Sequence, residues 1–237
     1  MIGNVKSISI KPRPDQILEL SRGASLPLPE INNLHLEVIV ETLLQAFENI
    51  QVNNQKVIEE GTESEVTSLL VSHLNTLADS EPLWGQLVRC TIRGAESLSF
   101  DGSHLEKRPD LSIFLTERNR NFPLIAEAKL IDIPRGKTEK LYCEKGLMRF
   151  LNGEYAWGTT EAMMVAYVRD GSTLQSQLTP FLEQKSPCNA KKYLVKDMPN
   201  SASNMPDCVA ISKHDRTFSY DVKAPVNDIP GPISLWH

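Results

Sequence analysis

The sequence predicts an α/β protein: a central mixed β-sheet flanked by helices, with the element order αβββαβ and an N-terminal helical extension. Three observations lead there. Two long stretches in the first eighty residues repeat apolar side chains at helical spacing, three short strand-type runs follow between residues 86 and 131, and a helix-type segment then separates these from another buried apolar run. At 237 residues the chain suits one sizeable domain. Residues 1–60 are expected to form an arm and a helix packed on a core that comprises 61–237 with C-terminal additions.

The first thirty residues hold Pro12, Pro14, Pro27 and Pro29, which reads as an irregular arm with an edge strand at residues 5–10. Over 34–50, Leu36, Ile39, Val40, Leu43, Leu44 and Phe47 recur at helical spacing behind a cap at Asn32 or Asn33. A second helix, 61–77, aligns Val66, Leu69, Leu70, Leu74 and Leu77, and Thr62 with Glu65 three positions on matches a capping box. Strand-type runs at 86–93, 109–115 and 123–131 suggest an antiparallel meander. A helix over 138–151 ending near Asn152-Gly153, a buried strand at 162–168, a helix at 173–183 and strands at 209–212 and 218–222 complete the order, with a Pro-rich surface tail at 225–232.

Composition narrows the function classes. The formal net charge of −5 opposes indiscriminate coating of nucleic acid, so any nucleic-acid site must be local or shared with a partner. No apolar run approaches the roughly 20 residues of a membrane span, and the first residues lack a basic segment followed by an apolar one. A cytoplasmic protein is expected. Cys90, Cys143, Cys188 and Cys208 form no metal-binding spacing, and each is expected to be a reduced, buried or half-buried thiol. There is no phosphate-cradling Gly-x-x-x-x-Gly-Lys run, no nucleophile elbow and no dinucleotide fingerprint.

The chemistry concentrates in Arg108-Pro109-Asp110-Leu111 and Ala126-Glu127-Ala128-Lys129. On a strand alternate side chains share a face, so Glu127 and Lys129 point one way while Ala126, Ala128 and Leu130 point the other. Two charged groups on one face of an apolar strand are costly without partners. A hairpin turn centred on 117–121 would bring Asp110 beside them. Two carboxylates can hold Mg²⁺ and leave positions for water and a phosphate oxygen, and the ion then polarises the phosphoryl group and acidifies its water. Lys129 can orient the water.

Pro109-Asp110 followed by Glu127-Ala128-Lys129 on the next strand resembles the signature of the PD-(D/E)XK, or restriction-endonuclease-like, nucleases, and the similarity covers roughly residues 61–168. The resemblance implies a restriction-endonuclease-like core, Asp110 and Glu127 as ligands of Mg²⁺ or Mn²⁺, the Ala128 carbonyl as a further ligand, and Lys129 near the attacking water. Many members add a glutamate from the preceding helix. Glu63 falls near the apolar face of Val66 and Leu70, whereas Glu65 lies off it, so Glu63 is favoured as ligand and Glu65 as cap.

Lys145 and Arg149, four apart on the next helix, are candidate phosphate contacts, with a solvated basic stripe as the competing reading. His73 reads as a core histidine, His104 as a loop group, Lys213-His214-Asp215 as uninformative, and Trp84, Trp157 and Trp236 as packing. The expected activity is metal-dependent endonucleolytic hydrolysis of DNA in bacterial anti-phage or mobile-element defence, working as a homo-oligomer or with an ATPase or helicase partner. Cleavage of RNA, or a catalytically silent structural or nucleic-acid-binding subunit, are the alternatives.

Overall fold

A computed structural model describes residues 19–101, 107–220 and 229–237. The first helix, α1 (Asn33–Asn53), starts where Asn32 accepts the Leu34 N–H at 2.9 Å and buries Leu36, Ile39, Val40, Leu43 and Ala46 along one stripe. A short α2 (Gln55–Glu60) follows, then α3 (Glu63–Ser80), whose capping box joins Thr62 and Glu65 reciprocally. The chain enters α4 (Pro82–Leu87) through a proline at its first turn. Residues 86 and 87 are therefore helical, not strand. The cause is packing: Trp84 is buried with its indole N–H on the Leu74 carbonyl at 2.8 Å, and a Cβ at Gly85 would stand 2.4 Å from the Ala78 carbonyl oxygen.

Among the described residues, seven strands form one mixed sheet in the order β1-β2-β3-β4-β7-β6-β5. β1 (Val88–Ile92), β2 (Leu111–Leu115) and β3 (Leu124–Ile131) make the antiparallel meander. The chain then crosses through α5, residues 139–151, to β4 (Glu161–Val168), which runs parallel to β3. In α5, Glu139–Tyr142 and Met148–Leu151 are α-helical and Cys143–Leu147 is π-helical. A similar mixed helix, α6, spans 174–183, followed by α7 (Asn189–Lys192), β5 (Val195–Ser201), β6 (Ala210–His214) and β7 (Ile233–Trp236).

The helices flank the sheet in two layers. α1 and α3 pack on one face with Ala126, Ala128, Met163 and Tyr167, and α5 and α6 pack on the other with Ile125, Ile131, Ala162 and Met164. Strand alternation does this sorting. No helix among the described residues is long and apolar enough to cross a membrane.

Several expectations need correction. Residues 233–236, adjacent to the expected surface tail, enter the middle of the sheet, where Ala162 faces Leu235 in a parallel pair and Ser212 faces Leu235 in an antiparallel one. Four residues carry too little periodicity to announce a strand. β5 was silent for another reason: Lys196, Asp197, Pro199 and Asn200 make it polar, which an edge strand tolerates. Phe218 and Tyr220 pair with no strand among the described residues; their alternation serves an aromatic cluster with Phe100, Trp157 and Phe122. Residues 221 and 222, the arm at 5–10, His104 and the first part of the tail lie outside the described residues. Cys143 is buried and Cys90 half-buried, but Cys188 and Cys208 are exposed, because both sit in polar connections and not on a packed face.

Leu235 has no exposed surface, so Leu235→Ala should cost about 2–5 kcal/mol in a urea unfolding titration. A loss below about 0.5 kcal/mol would be that of a surface position and would contradict a central β7.

Candidate active site

The site begins with a proline. β2 and β3 pair Leu111 with Ala126, and two residues further the antiparallel ladder would set Pro109 opposite Ala128. Proline has no N–H to give. The ladder stops, and the Pro109 carbonyl turns to accept Gly94 N–H at 3.1 Å. Beyond Ala126, the edge of β3 is thus open on the β2 side. Its main-chain donors still need acceptors, and carboxylates supply them: Ala128 N–H donates to Asp110 Oδ2 at 2.9 Å, and Leu130 N–H to Glu63 Oε2 at 2.8 Å.

Asp110 stands at the point where β2 leaves the ladder. Glu63 comes from the first turn of α3, and the capping box decides which glutamate is free to do so. Glu65 Oε2 accepts the Thr62 N–H at 2.7 Å while Thr62 Oγ1 accepts the Glu65 N–H at 3.2 Å, so Glu65 is committed to its own helix end. The Thr62 N–H and the Thr62 hydroxyl, both donating to this carboxylate, hold it below its usual range. Glu63 reaches the sheet instead.

Lys129 lies at the centre. Its ammonium donates to Glu127 Oε1 at 2.8 Å, Glu63 Oε1 at 3.2 Å, Asp110 Oδ2 at 3.4 Å and the Ala128 carbonyl at 2.5 Å. By strand parity Lys129 belongs to the α5 face, yet Glu63 arrives from α3 on the opposite face. The side chain crosses the open edge of β3, which β2 would block if the ladder continued.

Glu127 is 1% exposed and takes a second cation, Arg149 of α5, whose Nη1 lies 3.0 Å from Oε1 and 2.7 Å from the Tyr155 hydroxyl. Gly146 allows the close approach of α5: a Cβ there would meet Met164 Cε at 2.5 Å and Glu127 Cγ at 3.6 Å. Three carboxylates against two cations leave the cluster one negative charge in excess. Burial, reinforced by the Asp110 charge, pushes the Glu127 carboxyl up to about 7 even though Lys129 and Arg149 pull it down. Burial opposes the charge on Lys129, but Glu127, Asp110 and Glu63 outweigh it and hold its pKa above the ordinary lysine value. Burial, and then the Glu127 charge, raise the Tyr155 phenol well above its usual range, so it stays protonated.

Not every candidate joins the site. Lys145 is exposed, while Arg149 is half-buried and turned to Glu127, so the two are not presented together to solvent. His73 sits half-buried on α3 with its Nε2 unpartnered among the described residues. His214 is buried, its Nδ1 on the Tyr193 carbonyl and its Nε2 on Ser212, and burial lowers its pKa. Trp84 and Trp157 donate their indole N–H groups to main-chain carbonyls, and Trp236 is buried in β7. Sequence reading missed Tyr155. Its only local signal is the Asn152-Gly153 turn, where Gly153 at φ 76° sends the chain back so that Tyr155 N–H meets the Arg149 carbonyl at 3.0 Å.

Among the described residues, no group of three or more His, Cys, Asp or Glu side chains is disposed to hold a metal ion as it stands. The three carboxylates surround an ammonium instead. Their chemistry nonetheless suits a hard cation: carboxylate oxygens, a carbonyl released from the β ladder, an excess negative charge, and a buried Glu127 Oε2 with no hydrogen-bond partner. A cation taking these oxygens would have to displace the ammonium from them. Comparison of the chain with protein-family models, curated proteins and solved structures gives no match, and the reading of the site rests on this chemistry.

The raised Glu127 carboxyl has a sign that can be measured. Between its ordinary value of 4.5 and about 7, the folded protein keeps a proton that the unfolded chain has released. Its contribution is therefore full below 4.5 and is lost as pH rises through 7, on the order of 3 kcal/mol at 1.36 kcal/mol per unit. In EDTA, urea unfolding at pH 5 and pH 8 should show this decline in the wild type and a flatter profile in Glu127→Gln. Equal profiles would refute the assignment.

Proposed function

We propose that this chain is a divalent-metal-dependent phosphodiesterase of the PD-(D/E)XK, restriction-endonuclease-like class, acting on DNA. The observation that carries the reading is the convergence of Glu63, Asp110, Glu127, the Ala128 carbonyl and Lys129 where β2 parts from β3. The mixed sheet, with an antiparallel meander followed by a helical crossover to a parallel strand, agrees with it.

Glu63, Asp110, Glu127 and the Ala128 carbonyl would hold Mg²⁺ or Mn²⁺, which when bound polarises a phosphate oxygen and acidifies water. The chain's own groups have separable parts. Lys129 keeps its proton, because the surrounding carboxylates raise its pKa, so it serves as a donor and positive charge for water or phosphate and not as a base. Arg149, held by the Tyr155 hydroxyl, pins Glu127 in the orientation that leaves Oε2 free. Asp110 and Glu63 are oriented by the main-chain donors of Ala128 and Leu130.

With a net charge of −5, grip on a long polyanion calls for a few local cations or for a partner. Lys140 and Lys145 on α5, and Arg93 beside Ser64 of α3, are exposed cations. A homo-oligomer or an ATPase or helicase subunit would supply more. One observation favours a second reading: Lys129 and Arg149 already pair the carboxylates, as a structural ion network in a silent subunit would require.

Plasmid, single-stranded DNA and RNA incubated with Mg²⁺ or Mn²⁺ separate these readings. Cleavage of DNA is expected, lost in Asp110→Ala and Lys129→Ala by about a hundredfold or more, the scale of removing one charge-stabilising group. Glu65→Gln, which keeps a capping-box residue, should cut like the wild type. All variants are checked for folding by circular dichroism. Cutting of RNA alone would reassign the substrate. A folded wild type that cuts none of them, or cutting that survives both substitutions, would refute the proposed site.

A further inference from the structure

The cluster around Lys129 offers one acceptor more than its ammonium can serve. An ammonium has three N–H bonds to give, yet four oxygens lie within hydrogen-bond distance of Nζ: Glu127 Oε1 at 2.8 Å, Glu63 Oε1 at 3.2 Å, Asp110 Oδ2 at 3.4 Å and the Ala128 carbonyl at 2.5 Å. Two of these oxygens have other donors as well. Asp110 Oδ2 accepts the Ala128 N–H, and Glu127 Oε1 accepts the Arg149 guanidinium. A hard divalent cation has no N–H directions to satisfy and takes about six oxygens. Glu127 Oε2, buried and without a hydrogen-bond partner among the described residues, belongs to the same carboxylate that faces the ammonium.

Charge points the same way. Arg149 offsets one of the three carboxylates and Lys129 a second, which leaves one negative charge over. A divalent cation in the place of the ammonium would leave none, since together with Arg149 it matches all three. The cluster also has a closed end and an open end. Glu127 is 1% exposed, whereas the side chains of Glu63 and Asp110 are 34% and 23% exposed. The Lys129 ammonium sits on a flexible four-carbon stem, so it can leave toward the open end while the backbone of β3 stays in place.

We propose that Lys129 is a tethered stand-in for the divalent cation: its ammonium fills the point where the oxygens of Glu63, Asp110, Glu127 and Ala128 converge, and metal binding drives it out to the open end, where its charge becomes available to a substrate phosphate. The proposal rests on the metal-site reading above and adds to it that the same lysine opposes metal binding and is needed for cleavage. Removing Lys129 and removing Asp110 should therefore have opposite effects on metal affinity, although both abolish cutting.

Two measurements test this without relying on activity. Binding of Mn²⁺, followed by the paramagnetic resonance of the free ion, should be about tenfold tighter in Lys129→Met than in the wild type, a factor equivalent to 1.4 kcal/mol, and weaker in Asp110→Asn. Circular dichroism checks that each variant is folded. In the wild type, labelling with an amine reagent, read by mass spectrometry at each lysine, should be several-fold faster at Lys129 in Mg²⁺ than in EDTA, because the ammonium leaves its oxygens and gains exposure. Lys145, exposed on α5, is the internal control. This second measurement decides the matter if Lys129→Met does not fold. Mn²⁺ binding that is lost in Asp110→Asn but no tighter in Lys129→Met, or a Lys129 labelling rate that metal leaves unchanged while Mn²⁺ binds, would overturn the proposal and leave the metal site standing. Absence of Mn²⁺ binding in both the folded wild type and folded Lys129→Met would overturn the metal site and the proposal together.

Discussion

The missing N–H of Pro109 is the constraint on which the site depends. An antiparallel pair continues as long as each residue can give and take a hydrogen bond. When one cannot, the next donors and acceptors on the partner strand need other company. Here the Ala128 and Leu130 N–H groups find carboxylates, and the Ala128 carbonyl finds an ammonium. A single backbone defect thus explains why Asp110 and Glu63, from separate elements, meet beside Glu127 at one point of the sheet.

The electrostatics follow from that geometry. Glu127 is buried on the α5 side and would be prohibitively costly alone, so Lys129 and Arg149 both turn to it. They do not neutralise the whole cluster. Burial, and then the Asp110 charge, raise the Glu127 carboxyl, and its second oxygen has no partner among the described residues. Such a cluster is less stable than a fully matched one.

Much of this was legible locally. The spacing of apolar residues located α1 and α3, Thr62 and Glu65 announced their capping box, and three strand-type runs in succession gave the meander. The limits were equally physical. A buried tryptophan bonded to the Leu74 carbonyl and a glycine contact turned residues 86 and 87 from strand to helix, an aromatic cluster imitated strand alternation at Phe218 and Tyr220, and four residues at 233–236 joined the sheet centre without a readable period.

By itself the sequence determined the identity and the facing of the chemical groups. Strand parity places Glu127 and Lys129 on one face, and the capping box assigns Glu65 to its own helix end. Those are consequences of local geometry, which repeats every two residues in a strand and every 3.6 in a helix. Only the tertiary structure decided that Lys129 reaches round the open edge to Glu63, that Arg149 turns inward to Glu127 with Tyr155 behind it, and that β7 stands between β4 and β6. Those choices join residues tens of positions apart, and they depend on which elements pack together and not on any period within one of them.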